Sequence, residues 1–317
     1  MQLPHVSAAQ NSETIITADK IENLISRLKS PECHTRHTAG AELLQMESPD
    51  PRFIDPLIEL LATSIDEGVR QSSAYALGKS KDPKALEPLL KALNDPSDRV
   101  QSFVLMALWN FQDSKMVMPL MDFLLKTDDY ILARDTVIVL LSNADERVVE
   151  PLIDSLENRP DSYGAMYGAE LFCKVKDPRA VEPLIQFLGK NIEAGFYAVK
   201  ALDELGDARA VDVLIKTLKN SSSVDIRKAA AESLGKIGDK KAVQPLIEAL
   251  GDYSLIVKYE VVSALEKIND ERATEPLKKF YIELEALRQE TNEWVNSPVP
   301  GITPGMLSEY LKILNEQ

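Results

Sequence analysis

The architecture of this chain follows from residues 239–269, which read DKKAVQPLIEALGDYSLIVKYEVVSALEKIN. The first half is apolar at i, i+3, i+4 and i+7, a pattern that predicts an amphipathic helix. Asp239 stands where a carboxylate can accept hydrogen bonds from the free amides of the first turn. Gly251 and Asp252 end this helix, and a second apolar stripe follows. The stretch therefore predicts one antiparallel helix pair.

The same unit recurs along the chain at a nearly constant spacing. Each unit starts at an aspartate, and successive aspartates lie 30 to 32 residues apart: Asp50, Asp82, Asp113, Asp145, Asp177, Asp207, Asp239 and Asp270. A proline usually follows six residues later, which predicts either a kink or a late start of the helix. A period of this length indicates a repeat array. The sequence predicts an all-α fold, a right-handed α-solenoid of about nine helix pairs.

The two ends of the chain depart from the repeat. We predict a disordered or loosely attached segment at 1–16, a capping helix pair at 17–49, the repeat array at 50–274 and capping helices at 275–317. Repeat arrays need such atypical ends to cover their exposed apolar faces. Three prolines and two glycines predict a loop at 296–305, and a short helix is predicted at 306–314.

Composition excludes several classes of partner. The formal net charge is -14, whereas proteins that bind nucleic acid usually carry a basic face. No run approaches the ~18 apolar residues of a membrane span, and no signal peptide is recognisable. Two cysteines about four repeats apart fit a reducing compartment. We therefore expect an acidic, cytoplasmic protein that binds neither nucleic acid nor a membrane.

The residues that usually carry catalysis are scarce. All three histidines lie within the first 37 residues. Cys33, His34 and His37 are close in sequence, but no further ligand group accompanies them, so surface polar residues are favoured over a metal site. Gly-rich phosphate loops, Gly-x-Ser-x-Gly and Cys-x-x-Cys are absent from the sequence. We predict no catalytic residue, no metal and no cofactor.

Two motifs carry a resemblance to a known family. The motifs are DPRAVEPLI at 177–185 and IRKAAAESLG at 226–235, and they resemble short HEAT-like repeats of the phycobilisome-lyase type over residues 50 to about 280. The resemblance implies that second helices line a concave groove. It also implies that a recurring second-helix arginine ties neighbouring repeats together. This arginine is assigned to Arg36, Arg70, Arg134 and Arg227, with Lys258, and is replaced by Gln101, Ala165 and Gly195.

The predicted groove positions change character in the central repeats. Each second helix is counted from its Val, Ile or Ala position, such as Val69, Val100 or Ala133, and positions 2, 3, 6, 7 and 10 are expected to face the groove. There the central repeats carry apolar side chains, which in a contiguous patch mark an interaction site. A shift of one residue would place them in the core instead. The predicted partner-binding residues are Tyr75, Leu105, Met106, Trp109, Arg134, Ile138, Val139, Met166, Phe196 and Lys200.

Two functions follow from this pattern. The first is a non-catalytic scaffold that holds a partner polypeptide, with a basic or apolar segment, in the groove; Trp109 is its expected anchor. The alternative is implied by the resemblance: a bilin chromophore lyase, or a lyase-like subunit, acting on phycobiliproteins. In that case a tetrapyrrole would lie in the groove with arginines on its propionates. Deoxyhypusine hydroxylase, a HEAT-like enzyme family with iron-ligating His-Glu pairs, is not indicated, because no His-Glu occurs.

Overall fold

The structure, a computed structural model, describes residues 18–46 and 49–291. Regular structure within these ranges is helical only, so the all-α solenoid of HEAT-like helix pairs is confirmed. The chain divides into two compact units, 1–123 and 124–317, and the boundary falls within a helix. The predictions for 1–16, 296–305 and 306–314 lie outside the described residues. None of the helices within the two described ranges has the length and apolarity of a membrane span.

Helices alternate between first and second members of a pair. The first unit contains α1 (Ala18–Leu28), α2 (Cys33–Gln45), α3 (Ile54–Thr63), α4 (Glu67–Ser80), α5 (Leu86–Ala92), α6 (Asp98–Leu108) and the start of α7 (Val117–Lys126). The second unit contains α8 (Tyr130–Asn143), α9 (Val149–Asn158), α10 (Tyr163–Gly168), α11 (Leu171–Val175), α12 (Val181–Lys190), α13 (Phe196–Leu205), α14 (Val211–Asn220), α15 (Val224–Ile237), α16 (Val243–Ala249), α17 (Leu255–Ile268) and α18 (Thr274–Thr291).

The recurring aspartates cap a short 3-10 turn before each first helix. Asp177 shows the pattern, because its Oδ1 accepts from the backbone N–H of Arg179 at 2.9 Å, and all eight aspartates make the equivalent bond. The α-helix proper begins four residues after the aspartate, so Pro183 is the third residue of α12. In the first turn an amide has no partner four residues back, so proline costs little there. The late helix start is the correct alternative.

Second helices pack closely on one another within each unit. An ideal Cβ built on Gly78 would lie 2.4 Å from the Cα of Ala107, and one built on Gly235 would lie 2.6 Å from the Cα of Ala264. Both distances are far inside ordinary carbon contacts, so only glycine allows α4 to approach α6, and α15 to approach α17, this closely.

An arginine near the start of the second helix ties neighbouring repeats together. Arg227 donates through Nε to Asp252 at 2.7 Å and through Nη1 to the carbonyl oxygen of Ser221 at 3.0 Å. Arg70 makes the same pair of bonds, to Asp95 and to the Ser64 carbonyl oxygen. Arg36 likewise pairs with Asp66. We call this arrangement the arginine clamp; the prediction of a tying arginine is confirmed at Arg36, Arg70 and Arg227.

Candidate partner-binding surface

Capping residues give each second helix its true register. The side chains of Asp66, Ser97 and Ser223 accept from the amide three residues later, so position 1 is Val69, Val100 and Ile226. Counted this way, position 6 is buried in five second helices, where it is Ala74, Leu105, Val137, Ala231 and Val262. In α10 it is Glu170, which is half-buried. The prediction that position 6 faces a groove is therefore wrong, because this position packs between second helices.

In α8 the register is also shifted by one residue. Asp129 accepts from the amides of Ile131 and Leu132, so position 1 is Leu132 rather than Ala133. Position 2, where other repeats carry the clamp, is therefore Ala133. Arg134 lies one residue further on and bonds only to its neighbour Asp135, with 2.9 Å between Nη2 and Oδ1, at the surface. Assigning Arg134 to the clamp is wrong, although its side chain is exposed as predicted.

Two predicted partner-binding residues belong to the core. Leu105 is 1% exposed and Val139 is 2% exposed. Leu105 occupies position 6, and Val139 turns inward because the register of α8 is shifted. Val199, which shares the apolar pattern in the sequence, is fully buried as well. Burial on this scale leaves no side-chain surface for a partner, so these residues hold neighbouring helices together instead.

The first unit exposes two large apolar side chains near the end of α6. Met106 is 52% exposed and Trp109 is 58% exposed, at the positions where the sequence predicts a surface. Trp109 follows the last residue of α6, and its amide donates to the Leu105 carbonyl oxygen. Tyr75 is half-buried on α4, packed edge-on against Phe103 with 6.2 Å between ring centroids. Of the predicted partner-binding residues in the first unit, Met106 and Trp109 are therefore the most exposed.

The second unit retains five of the predicted residues at its surface. Arg134, Ile138 and Lys200 are exposed, and Met166 and Phe196 are half-buried. The Lys200 ammonium lies 5.4 Å from the centre of the Phe196 ring, within the range of a cation–π contact.

A set of tyrosines on α8, α10 and α13 adds to this surface. We call Tyr130, Tyr163, Tyr167 and Tyr197 the tyrosine ladder; successive ring centroids are 6.3, 6.5 and 5.5 Å apart. Tyr130 and Tyr163 are exposed. Tyr130 and Tyr163 were not predicted as surface residues because they precede position 1. A usable signal was present, since each directly follows the residue that caps its helix.

The helices that carry the tyrosine ladder have no arginine clamp. Position 2 is Ala133 in α8 and Met166 in α10, where Ser162 is the cap, and α13 begins after Gly195. Glycines in these repeats lie close to leucine side chains of the preceding first helices. A Cβ on Gly168 would lie 2.5 Å from Leu152 Cδ2, and one on Gly195 would lie 2.2 Å from Leu188 Cδ1. Ala165 is fully buried at position 1 and does not replace the clamp.

A cleft of about 330 Å³ lies beside this surface in the second unit; it is lined by Leu141, Glu170, Cys173, Lys174, Lys200, Asp203 and Glu204. Burial raises the pKa of Glu170, and the nearby positive charge of Lys200 partly offsets this increase. Burial also raises the pKa of the Cys173 thiol to about 11, with Glu170 adding to the effect. The thiolate is the nucleophilic form of cysteine, so Cys173 is unreactive at neutral pH.

Comparison with known proteins agrees with this geometry. A model of HEAT repeats matches residues 21–102, 86–167 and 211–292, and a model of the PBS lyase HEAT-like repeat matches 196–220. The search of curated proteins gives no match.

Three solved structures are similar to this chain, and the likeness in fold rests on the first, whose TM-score is above 0.5. A chain in the structure of Kap95p with RanGDP is 13% identical with a TM-score of 0.57, over 90% of this chain and 46% of that chain. The complex of CpcE and CpcF of phycocyanin lyase from Nostoc sp. PCC7120 is 19% identical with a TM-score of 0.35, over 84% and 99%. Human deoxyhypusine hydroxylase is 18% identical with a TM-score of 0.35, over 79% and 96%. Identities this low show the fold alone. With its capped repeats and most of its length matched by the repeat model, the chain belongs to the HEAT-repeat family.

Proposed function

We propose that this protein is a binding protein that holds a polypeptide partner against the outward-facing side chains of its central second helices. One observation carries the proposal. Between the clamps of Arg70 and Arg227, the second helices lose the inter-repeat arginine and expose large aromatic and apolar side chains instead: Met106 and Trp109 in the first unit, Tyr130, Ile138 and Tyr163 in the second.

The chemistry of these side chains favours a protein partner. Large apolar side chains grouped at a surface are typical of interaction sites, and tryptophan and tyrosine are over-represented among the residues that dominate binding energy. The formal net charge of -14 favours a partner whose apolar segment is accompanied by basic groups, because opposite charges steer association. The bilin-lyase alternative draws its support from the match of residues 196–220 to the PBS lyase HEAT-like repeat.

Affinity capture followed by titration tests the proposal. Immobilised wild-type protein and Trp109→Ala are exposed to native lysate, with Ile65→Ala as the matched control, because Ile65 is 96% exposed outside the central second helices. We expect a partner that wild type and Ile65→Ala retain and Trp109→Ala loses. With the purified partner, Trp109→Ala should lose about 2 kcal/mol or more of binding free energy, the scale of a hot-spot truncation.

Fluorescence separates the outcomes. In a Trp294→Phe background Trp109 is the remaining tryptophan, and its emission should shift or quench as the partner binds. Because Trp109 is 58% exposed, its removal should leave the unfolding midpoint nearly unchanged. A partner that binds wild type, Trp109→Ala and Tyr163→Ala equally well would show that another surface is used. A bilin that produces the shift while every polypeptide fails would establish the alternative.

A further inference from the structure

The tyrosine ladder points to a specific conformation of the bound segment. Resting on the proposed function, we propose that the ladder binds a proline-rich segment of the partner as a polyproline II helix. Four tyrosine rings from three repeats form one series, with neighbouring centroids 5.5 to 6.5 Å apart and interplanar angles of 37° to 58°. Surfaces lined by aromatic rings are where proline-rich segments dock.

The hydroxyl groups of the ladder supply the polar half of this recognition. Within residues 18–46 and 49–291 no hydrogen bond engages the hydroxyl of Tyr130, Tyr163, Tyr167 or Tyr197, and none of these oxygens is among the buried unpartnered atoms. Tyr130 and Tyr163 are exposed, so their hydroxyls are available as donors. A polyproline II ligand has no internal hydrogen bonds, so its carbonyl oxygens are free to accept from them. Aromatic rings for proline and donors for carbonyls are what proline-rich ligands require.

Other modes of peptide recognition fit this surface less well. An amphipathic helix needs a continuous apolar groove, but Arg134, Glu170 and Lys200 lie among the aromatic rings. Strand addition needs the edge of a sheet, and the described ranges contain no strand. The local charges also balance, because Arg134 pairs with Asp135 and Lys200 acts on Glu170. An uncharged proline-rich segment matches such a surface.

The test uses the full chain and defined peptides. Fluorescein-labelled oligoproline is titrated against the protein, beside an oligo(Gly-Ser) peptide of equal length and an amphipathic Leu–Lys peptide that forms a helix. The variants are Tyr163→Ala, which removes ring and hydroxyl, and Tyr163→Phe, which removes the hydroxyl alone. Tyr253→Phe is the matched control, since Tyr253 is exposed in the loop before α17 and is not part of the ladder. Circular dichroism confirms that each variant is folded.

We expect oligoproline to bind more tightly than oligo(Gly-Ser). Tyr163→Ala should weaken it by about tenfold or more, as loss of an aromatic anchor does. Tyr163→Phe should weaken it by about two- to tenfold, the effect of one lost hydrogen bond, and Tyr253→Phe should change nothing. Equal binding of oligoproline and oligo(Gly-Ser), or an unchanged affinity in Tyr163→Ala, overturns the inference. If only the Leu–Lys helix binds and depends on Tyr163, polypeptide binding stands and the polyproline conformation is wrong.

Discussion

The close approach of second helices makes Gly78→Ala the most discriminating test of the packing described above. The added methyl carbon would lie 2.4 Å from Ala107 Cα, 2.6 Å from Ala107 Cβ and 3.0 Å from the Ala107 carbonyl oxygen. Two of these three atoms are backbone, so no side-chain rotation relieves the overlap. Helices α4 and α6 must separate by roughly 1 Å to restore ordinary carbon contacts of about 3.5 Å.

Two opposing effects determine the sign of the change in stability. Alanine is better than glycine in a helix interior by about 1 kcal/mol, which favours the variant. Forcing a methyl group into a packed interface costs typically 1–3 kcal/mol and occasionally more. Because the overlap is with backbone, the cost should lie at the upper end of that range. We therefore expect a net destabilisation of about 1–2 kcal/mol.

Gly189→Ala is the matched control, since Gly189 is also helical, in α12, and has no atom within 4 Å of the ideal Cβ. Only the helix propensity acts there, so this variant should gain up to about 1 kcal/mol. Urea denaturation followed by circular dichroism measures both, and the midpoints should move in opposite directions. If Gly78→Ala were as stable as Gly189→Ala, the second helices would not be packed as closely as the glycine contacts require.

Three further predictions concern the clamp, the register and acid stability. Arg227→Ala leaves the nearly buried Asp252 unpaired and should cost about 3–5 kcal/mol in urea unfolding, whereas Arg134→Ala removes an exposed pair and should cost at most about 1 kcal/mol. Leu140→Ala should cost about 2–5 kcal/mol and Leu141→Ala clearly less, because Leu140 is fully buried and Leu141 is half-exposed. Hydrogen bonds from Arg52 lower the pKa of Asp50 to about 2. The ionised Asp50 therefore stabilises the fold fully above about pH 4, and this contribution is lost as the pH falls through about 2. The corresponding fall in melting temperature should be absent from Asp50→Asn.

Local sequence signals predicted the repeat well. Each capping aspartate accepts from the amide two residues later, so its role is determined within a single turn of the chain. The apolar stripes likewise depend on helix geometry alone. The proline six residues after most of these aspartates left two alternatives open, because a kinked helix and a late helix start place a proline at the same position in the sequence. The 3-10 turn after the aspartate decided between them.

The surface was harder to predict because it depends on the neighbouring repeat. Position 6 is exposed on an isolated helix pair and becomes buried only when the next second helix packs against it, as at Leu105. In α8 the adjacent Asp128 and Asp129 are equally plausible caps in sequence, and counting from Ala133 places position 1 one residue after Leu132. A shift of one residue in a helix rotates each side chain by about 100°. Val139 was therefore misplaced by the choice of register in α8, whereas Leu105 was misplaced because the neighbouring repeat buries it.

The distribution of clamps along the second unit predicts where the solenoid opens first. Opening of a repeat is local when few buried contacts tie it to its neighbours. The hydrogen bond from Arg227 to Asp252 links α15 to the loop before α17. Helices α10 and α13 have no such clamp. In addition, α10 ends at Gly168 and α13 has no side-chain cap. Amide hydrogen exchange should therefore be faster in α10, α11 and α13 than in α15. Arg227→Ala should raise the exchange rate in α15 and leave that in α10 unchanged, since the two helices share no clamp. Uniform protection across these helices would show that the clamps do not control opening. If exchange is faster in α10 and α13, the surface proposed for the partner lies on the repeats that open most readily. Binding of the partner should then protect the amides of these helices from exchange.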